Sequence, residues 1–357
     1  MSAHEILIYL MAVFAAVGAL DRIFGNKLGL GEEFENGILA MGSLAMAMLG
    51  VICLAPVLAA VLKPVVVPVY GFLGADPAMF AGTILACDMG GASLAGELTA
   101  DVQAAQLGGV ITGSMLGATI VFTIPVALGI LSPEDRPAMA KGILCGIVTI
   151  PVGILVGGLV AGISLGKVLS NLVPVVIIAA VIALGLWKAE KAMIKGFSIF
   201  GKAVVALITA GLAAAIVQSL TGIVLIPGLA SLEEGFLTVG AIAIVLAGAF
   251  PLVLVITKVL KKPLMKLGRL LGINETAAAG LIASLANSIA TFGMVKDMDH
   301  RGKVVNIAFA VSAAFVFGDH LGFTAGFAPE LLPAMILGKL AGGVSAVALA
   351  LLLTRKK

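Results

Sequence analysis

Apolar residues run through this chain in long blocks separated by short clusters of Lys, Arg, Asp and Glu. Blocks of the length that crosses a bilayer predict helices over roughly 5–24, 37–62, 105–130, 138–163, 169–187, 197–220, 236–257, 304–326 and 331–354. Two further segments, 78–98 and 276–296, are apolar yet interrupted. The first, Met79–Leu98 (MFAGTILACDMGGASLAGEL), carries Asp88 at its centre, followed at once by Gly90 and Gly91. A carboxylate at bilayer depth costs on the order of 3 kcal/mol or more, so such a residue faces protein or water and marks a pathway. Paired glycines beside it predict a broken chain in place of one continuous helix. The stretches ahead of the two segments, Val65–Gly74 and Leu264–Ile273, are expected to lie along the interface as elbows.

The basic residues decide between crossing and returning. With the N-terminus outside and both interrupted segments folding back to the side they left, 19 of the 22 Lys and Arg fall on the cytoplasmic side, the Arg355–Lys357 tail among them. If both segments cross, the better orientation places only about 12 there. The sequence therefore predicts two re-entrant hairpins. Arms of about 10 residues, each about 15 Å long, bring their tips to mid-bilayer, with Asp88 and Asn287 close to those tips.

The chain also repeats itself. Phe34–Gly37 resembles Leu232–Gly235, and Leu73-Gly74-Ala75-Asp76 matches Leu271-Gly272-Ile273-Asn274. PEDRPAMAKGILCG (Pro133–Gly146) aligns with PELLPAMILGKLAG (Pro329–Gly342); the offset is 198 residues early and 196 late. An odd number of crossings between the units makes them inverted repeats, a transporter architecture. The expected plan is an all-α polytopic membrane protein of about nine full spans plus two re-entrant segments. Residues 1–33 form a first span and loop, 34–163 repeat 1 with hairpin 78–98, 164–231 two linking spans, and 232–357 repeat 2 with hairpin 276–296. Glycines at every fourth position (Gly109, Gly113, Gly117; Gly142, Gly146; Gly153, Gly157) predict close helix packing and would allow a homodimer.

Composition narrows the class without naming a substrate. At 61% hydrophobic and 11% charged, with mean hydropathy +1.20, the chain has more apolar surface than a soluble domain hides. The net charge of +3 comes with no basic, aromatic-studded patch, which excludes nucleic acid as a partner. Cys53, Cys87 and Cys145 lie inside apolar runs without zinc or disulfide spacing, and no motif calls for a cofactor. The first apolar run lacks a basic leader and a cleavage site, so it is expected to be a retained span.

Asp88 is either a substrate carboxylate or one satisfied by backbone donors at a helix end. Asn287 either binds a hydroxyl or caps the broken backbone. Asp319 and His320 fall inside the span after the second hairpin, and the repeat pairs Asp319 with Thr123. Together these residues offer acceptors for a cation, with amide and hydroxyl groups for a polar tail. Asp319 instead pairs with His320, or sits at the outer interface, in the plainer reading. His320 is a proton acceptor or an orienting partner. Lys339 is expected to snorkel to the interface, with an ion pair to an intramembrane aspartate as the sharper alternative. Ser93 with His320 would make an intramembrane hydrolase dyad, the least favoured reading.

At these residues the chain resembles a known family. The stretches FENGILAMGSLAMAMLG, LAPVLAAVLKPVVVPVYGFLGADPAMFAGTILACDMGGASLAGEL, TIVFTIPVALGI and GILCGIVTIPVG are similar to those of the ethanolamine utilization permeases, EutH, with the CDMGG block the most specific. The resemblance implies a multi-pass protein of the bacterial inner membrane that takes up ethanolamine for a cobalamin-dependent lyase in the cytoplasm or a microcompartment. Ethanolamine is a cation near neutral pH and crosses lipid poorly, which suits a carrier with an intramembrane carboxylate. The expected mechanism is alternating access, with the ammonium between Asp88 and Asp319, the tip glycines Gly90 and Gly91 beside it, His320 near, and Asn287 or Thr123 on the hydroxyl. A passive channel for small polar solutes and a carrier of another small solute are the alternatives.

Overall fold

The computed structural model describes residues 2–354, which fold almost entirely as helices. Arg355, Lys356 and Lys357, counted above as a cytoplasmic tail, lie outside the described residues. Helices α1 (Ala3–Ile23), α2 (Leu30–Phe72), α3 (Ala78–Ile84), α4 (Gly91–Leu98) and α5 (Val102–Ile130) form the first part. They are followed by α6 (Arg136–Val160), α7 (Leu165–Lys188), α8 (Glu190–Thr221) and α9 (Leu232–Leu271). The chain ends with α10 (Glu275–Ala286), α11 (Ser288–Met294), α12 (His300–Ala313), α13 (Asp319–Phe327) and α14 (Leu332–Leu353). Among the described residues, eight helices are long and apolar enough to cross a membrane. This is a multi-pass membrane protein.

Three sequence expectations need correction. The span expected at 304–326 is not one helix: α12 stops at Ala313 and α13 begins at Asp319. The unwound link is held by the second hairpin, for Phe315 and Phe317 donate their N–H groups to the carbonyls of Ser284 (3.1 Å) and Leu285 (2.8 Å). Irregular backbone survives at membrane depth only where protein satisfies it, as here. The two expected elbows are also absent as separate elements. Val65–Gly74 continues α2, which runs 43 residues, and Leu264–Ile273 mostly continues α9, which runs 40. At 1.5 Å per residue these helices are about 60 Å or longer, twice the hydrocarbon thickness of about 30 Å. Pro64, Pro68 and Pro263 sit inside them without ending them.

Both interrupted segments are hairpins. In the first, α3 and α4 pack on each other, and the base is pinned where Thr99 donates its hydroxyl to Asp76 Oδ2 at 2.9 Å. In the second, the Asn274 backbone N–H reaches Asp299 Oδ1 at 2.7 Å and its side-chain amide reaches the Asp297 carbonyl at 2.9 Å. A segment whose two ends meet has returned to the point it left. The long helix before each hairpin ends on a left-handed glycine, Gly74 at φ 69° and Gly272 at φ 68°. The next polar residue then caps the hairpin, with Asp76 Oδ1 accepting from Ala78 N and Asn274 Oδ1 from Ala277 N.

Polar ties sort the loops into two groups. The base of hairpin 1 joins the first turns of α7 through Asp101–Lys167 (2.6 Å) and the Asp76 N–H to Asn171 Oδ1 (2.7 Å), and Gln106 reaches Glu330 before α14. Lys303, beyond the base of hairpin 2, pairs instead with Asp135 at the far end of α5, and Lys141 reaches the Leu353 carbonyl. The glycine stripes are used within the chain. A Cβ on Gly117 would lie 1.8 Å from the Leu85 carbonyl of hairpin 1, one on Gly146 would meet Val311 of α12, and one on Gly153 the Gly338 carbonyl of α14. These stripes are packed against neighbouring helices of the same chain.

Candidate functional site

The tip of hairpin 1 is built so that Asp88 emerges from broken backbone. Leu85 turns extended after α3, Cys87–Met89 makes one tight turn, and Gly90 starts α4 from the left-handed region at φ 89°. A Cβ on Gly90 would lie 1.7 Å from Val51 Cγ1 of α2, so both the dihedral and the space require glycine. Gly91 donates its N–H to the Ala86 carbonyl at 2.9 Å, which closes the tip. Both glycines shape the tip, and neither lines the cavity beside it.

Asp319 and His320 come from the unwound link. Phe315, a bulky residue at φ 64°, turns the chain there. Gly318 follows so close to hairpin 2 that a Cβ on it would lie 2.1 Å from the Ala286 carbonyl. Strained backbone over-determined by its surroundings is a recurrent mark of functional positions. Asp319 then opens α13, with His320 next to it.

Asp88, Asp319 and His320 line one cavity of about 170 Å³, with Phe122, Phe315 and Ser43 on its walls. That is below the range of about 300–1,000 Å³ typical of drug-sized ligand sites, so the space suits a small solute. The Asp88 side chain is 16% exposed and that of His320 4%, with His320 Nε2 3.8 Å from Asp88 Oδ1. The His320 ring tilts against Phe315 at 5.3 Å, and Phe315 meets Phe122 edge-on at 5.4 Å. Two carboxylates facing one low-dielectric space favour a cation between them, and the aromatic rings add cation–π faces.

Asp319 also lines a second cavity, of about 280 Å³, with Asn287, Glu33 and Thr257. The Asn287 side-chain oxygen Oδ1 accepts from the Ile289 N–H at 2.7 Å, so it caps α11. Asp319 is thus the residue shared by the space next to the Asp88 tip and the space next to the Asn287 tip. Thr123 is 2% exposed and lines neither cavity; its neighbour Phe122 does. Ser93 lines neither cavity either.

Lys339 does not snorkel. It is 1% exposed, and its Nζ donates to the Ser114 carbonyl of α5. The reason lies in the packing of α14, which is pressed against α6 through Gly338 and Gly153 and turns this side chain inward. Cys87 Sγ, an Asp88 oxygen and a His320 nitrogen lie within 4.8 Å of one another, a donor set that suits a soft dication of the zinc class. The Lys339 charge acts on the same three groups and opposes a dication there.

Phe122, Phe315 and Ser43 were not singled out in the sequence. Only the aromatic residues carried a usable signal, each lying within a few positions of a polar interruption in an apolar span.

A family model described as "Ethanolamine utilisation protein, EutH" matches residues 3–353. The chain belongs to the EutH family. A EutH relative from Listeria monocytogenes, named probable ethanolamine permease EutH, is 61% identical over 356 residues, covering 100% of this chain and 95% of its own length. One of the same name from Salmonella typhimurium is 50% identical, covering 100% of this chain and 97% of its own. A Bacillus subtilis protein, the uncharacterized YxeR, is 53% identical over 99% of this chain and 96% of its own. No solved structure matches the chain.

Proposed function

We propose that this EutH-family chain is a permease that carries protonated ethanolamine across the bacterial inner membrane by alternating access. The observation that carries the reading is the meeting of Asp88, at a hairpin tip, with Asp319, at a helix break, in one small cavity. The substrate ammonium sits between the two carboxylates, where several acceptors offset its lost hydration. Its hydroxyl turns toward Asn287, which reaches the neighbouring cavity, in preference to Thr123, which reaches neither. The two units are inverted repeats in this scheme. The recurring order of long helix, hairpin and two further spans supports it, as do hairpin bases tied to separate groups of loops. Movement of one hairpin relative to the other would expose Asp319 to one face at a time. No chemical step is required of any residue.

Uptake of labelled ethanolamine into proteoliposomes tests the reading, with competition by a panel of amines and organic acids. Saturable uptake, inhibited by small amines and not by acids, with counterflow when the vesicles are preloaded, is expected. Uptake that neither saturates nor shows counterflow would make the protein a passive facilitator. Inhibition by acids alone would make it a carrier of another solute.

A further inference from the structure

Glu33 is an acid that the transport scheme leaves unused. It lies in the first turn of α2 and lines the second cavity, of about 280 Å³, together with Asp319, Asn287 and Thr257. Ser43 of the same helix lines the first cavity. The two positions are about ten residues apart, or about 15 Å along the helix axis. The two spaces are therefore stacked along α2, with Asp319 lining both. Of the three glutamates that open this helix, Glu32 is exposed and Glu35 pairs with Arg22 at 3.1 Å. A first-turn acid suits the helix dipole wherever it points. That accounts for Glu32, but not for a carboxylate in a cavity walled by Phe250, Val253, Leu254 and Phe317.

Neither Glu33 nor Asp319 forms an ion pair among the described residues. Two cations at this end are held elsewhere, Arg22 by Glu35 and Lys258 by the Leu28 carbonyl at 3.4 Å. The Thr257 hydroxyl donates to the Val253 carbonyl at 2.7 Å, which leaves its lone pairs as acceptors. Two unpaired carboxylates and a hydroxyl oxygen within apolar walls favour a cation between them. The Lys258 contact also puts the α1–α2 connection, with Arg22 and Lys27, at the end of α9 that carries Lys261, Lys262 and Arg269. Such an excess of basic residues marks the cytoplasmic side. The second cavity is the one nearer the cytoplasm.

We propose that the second cavity is a cytoplasm-side station for the same small primary ammonium, with Glu33 as its binding carboxylate. The inference rests on the reading that Asp88 and Asp319 hold the ammonium in the first cavity. The cation keeps Asp319 throughout and exchanges Asp88 for Glu33, so no stage of its passage leaves it desolvated without a counter-charge. Because both stations share Asp319, one ammonium occupies them in turn. Glu33 therefore acts on the inward-facing side of the cycle and Asp88 on the outward-facing side.

The test measures the KM for labelled ethanolamine from each face, in right-side-out and inside-out vesicles. Glu33→Gln should raise the KM at the cytoplasmic face about tenfold and change that at the outer face by less than about threefold. Glu33→Asp, which keeps the charge, should lie between this variant and the wild type. Thr257→Val, which removes an acceptor from the same cavity and leaves the acid in place, should shift the cytoplasmic KM in the same direction by about threefold. Glu32→Gln should match the wild type at both faces. Unchanged KM values in Glu33→Gln overturn the inference, as does an equal rise at both faces or a rise at the outer face alone. Failure of Glu33→Gln to assemble, with no one-sided shift in Thr257→Val, overturns it too, since the acid would then be a structural one. A wild-type protein that carries no ethanolamine would sink the transport reading itself. Normal wild-type transport with Glu33→Gln unaffected would sink only the second station.

Discussion

Single residues at the hairpin tip answer to different constraints. Asp88 was legible in the sequence because a carboxylate in an apolar run is costly wherever it is not used, and the structure gives it a cavity to face. Gly90 is held by geometry alone. Gly90→Ala combines an αL penalty with a clash against Val51, and should cost about 2–4 kcal/mol, read as a lower melting temperature in detergent and less folded protein. Asp88→Asn should instead melt like the wild type and lose uptake, because its carboxylate accepts no backbone bond from another element among the described residues. A Gly90→Ala protein with unchanged melting would show that the tip relaxes more easily than its packing implies. Lys339 was misread from the sequence because snorkelling depends on which way the helix faces. That is set by its contact with α6, not by depth along the span.

At the scale of elements, the hairpins were legible and the helix break was not. Loop charges reported where the chain turns back, and the bases of both hairpins are closed by side-chain ties. The link at 314–317 is Ala-Phe-Val-Phe, as apolar as an unbroken span, and its unwinding comes from bonds to Ser284 and Leu285 about 30 residues earlier. The elbows were over-read because an apolar or amphipathic stretch following a span need not be a separate element; both continue the preceding long helix. Reporter fusions at Ala104 and Gly302 should place these residues on opposite sides of the membrane; the same side for both would undo the two-hairpin topology. The base of hairpin 1 also carries a pH signature. The Lys167 ammonium bound to Asp101 holds that carboxyl below the usual aspartate range. A group depressed in the folded state stabilises it fully above its unfolded value of about 4, and the contribution fades as pH falls below that. Asp101→Asn should therefore melt slightly lower than the wild type near neutral pH, with the gap closing on acidification. An exposed pair contributes little, so a gap that widens in acid would contradict this assignment.

Across the whole molecule, the arrangement puts Asp319 between two spaces, one beside each hairpin tip. The repeated order of elements was legible from eight shared residues in the Pro133–Gly146 and Pro329–Gly342 segments. Their packing partner was not, because the glycine stripes that read as general helix contacts are each matched to one neighbour in the fold. Asp319→Asn should weaken ethanolamine uptake from either face alike, read as a raised KM in right-side-out and inside-out vesicles. An effect confined to one face would place Asp319 in a single vestibule. The most direct test of the central claim is equilibrium binding of labelled ethanolamine to the purified protein, wild type against Asp88→Asn at matched melting temperature. Saturable binding of one ethanolamine per wild-type chain, lost in Asp88→Asn, is the predicted result. Undiminished binding in Asp88→Asn would contradict the account.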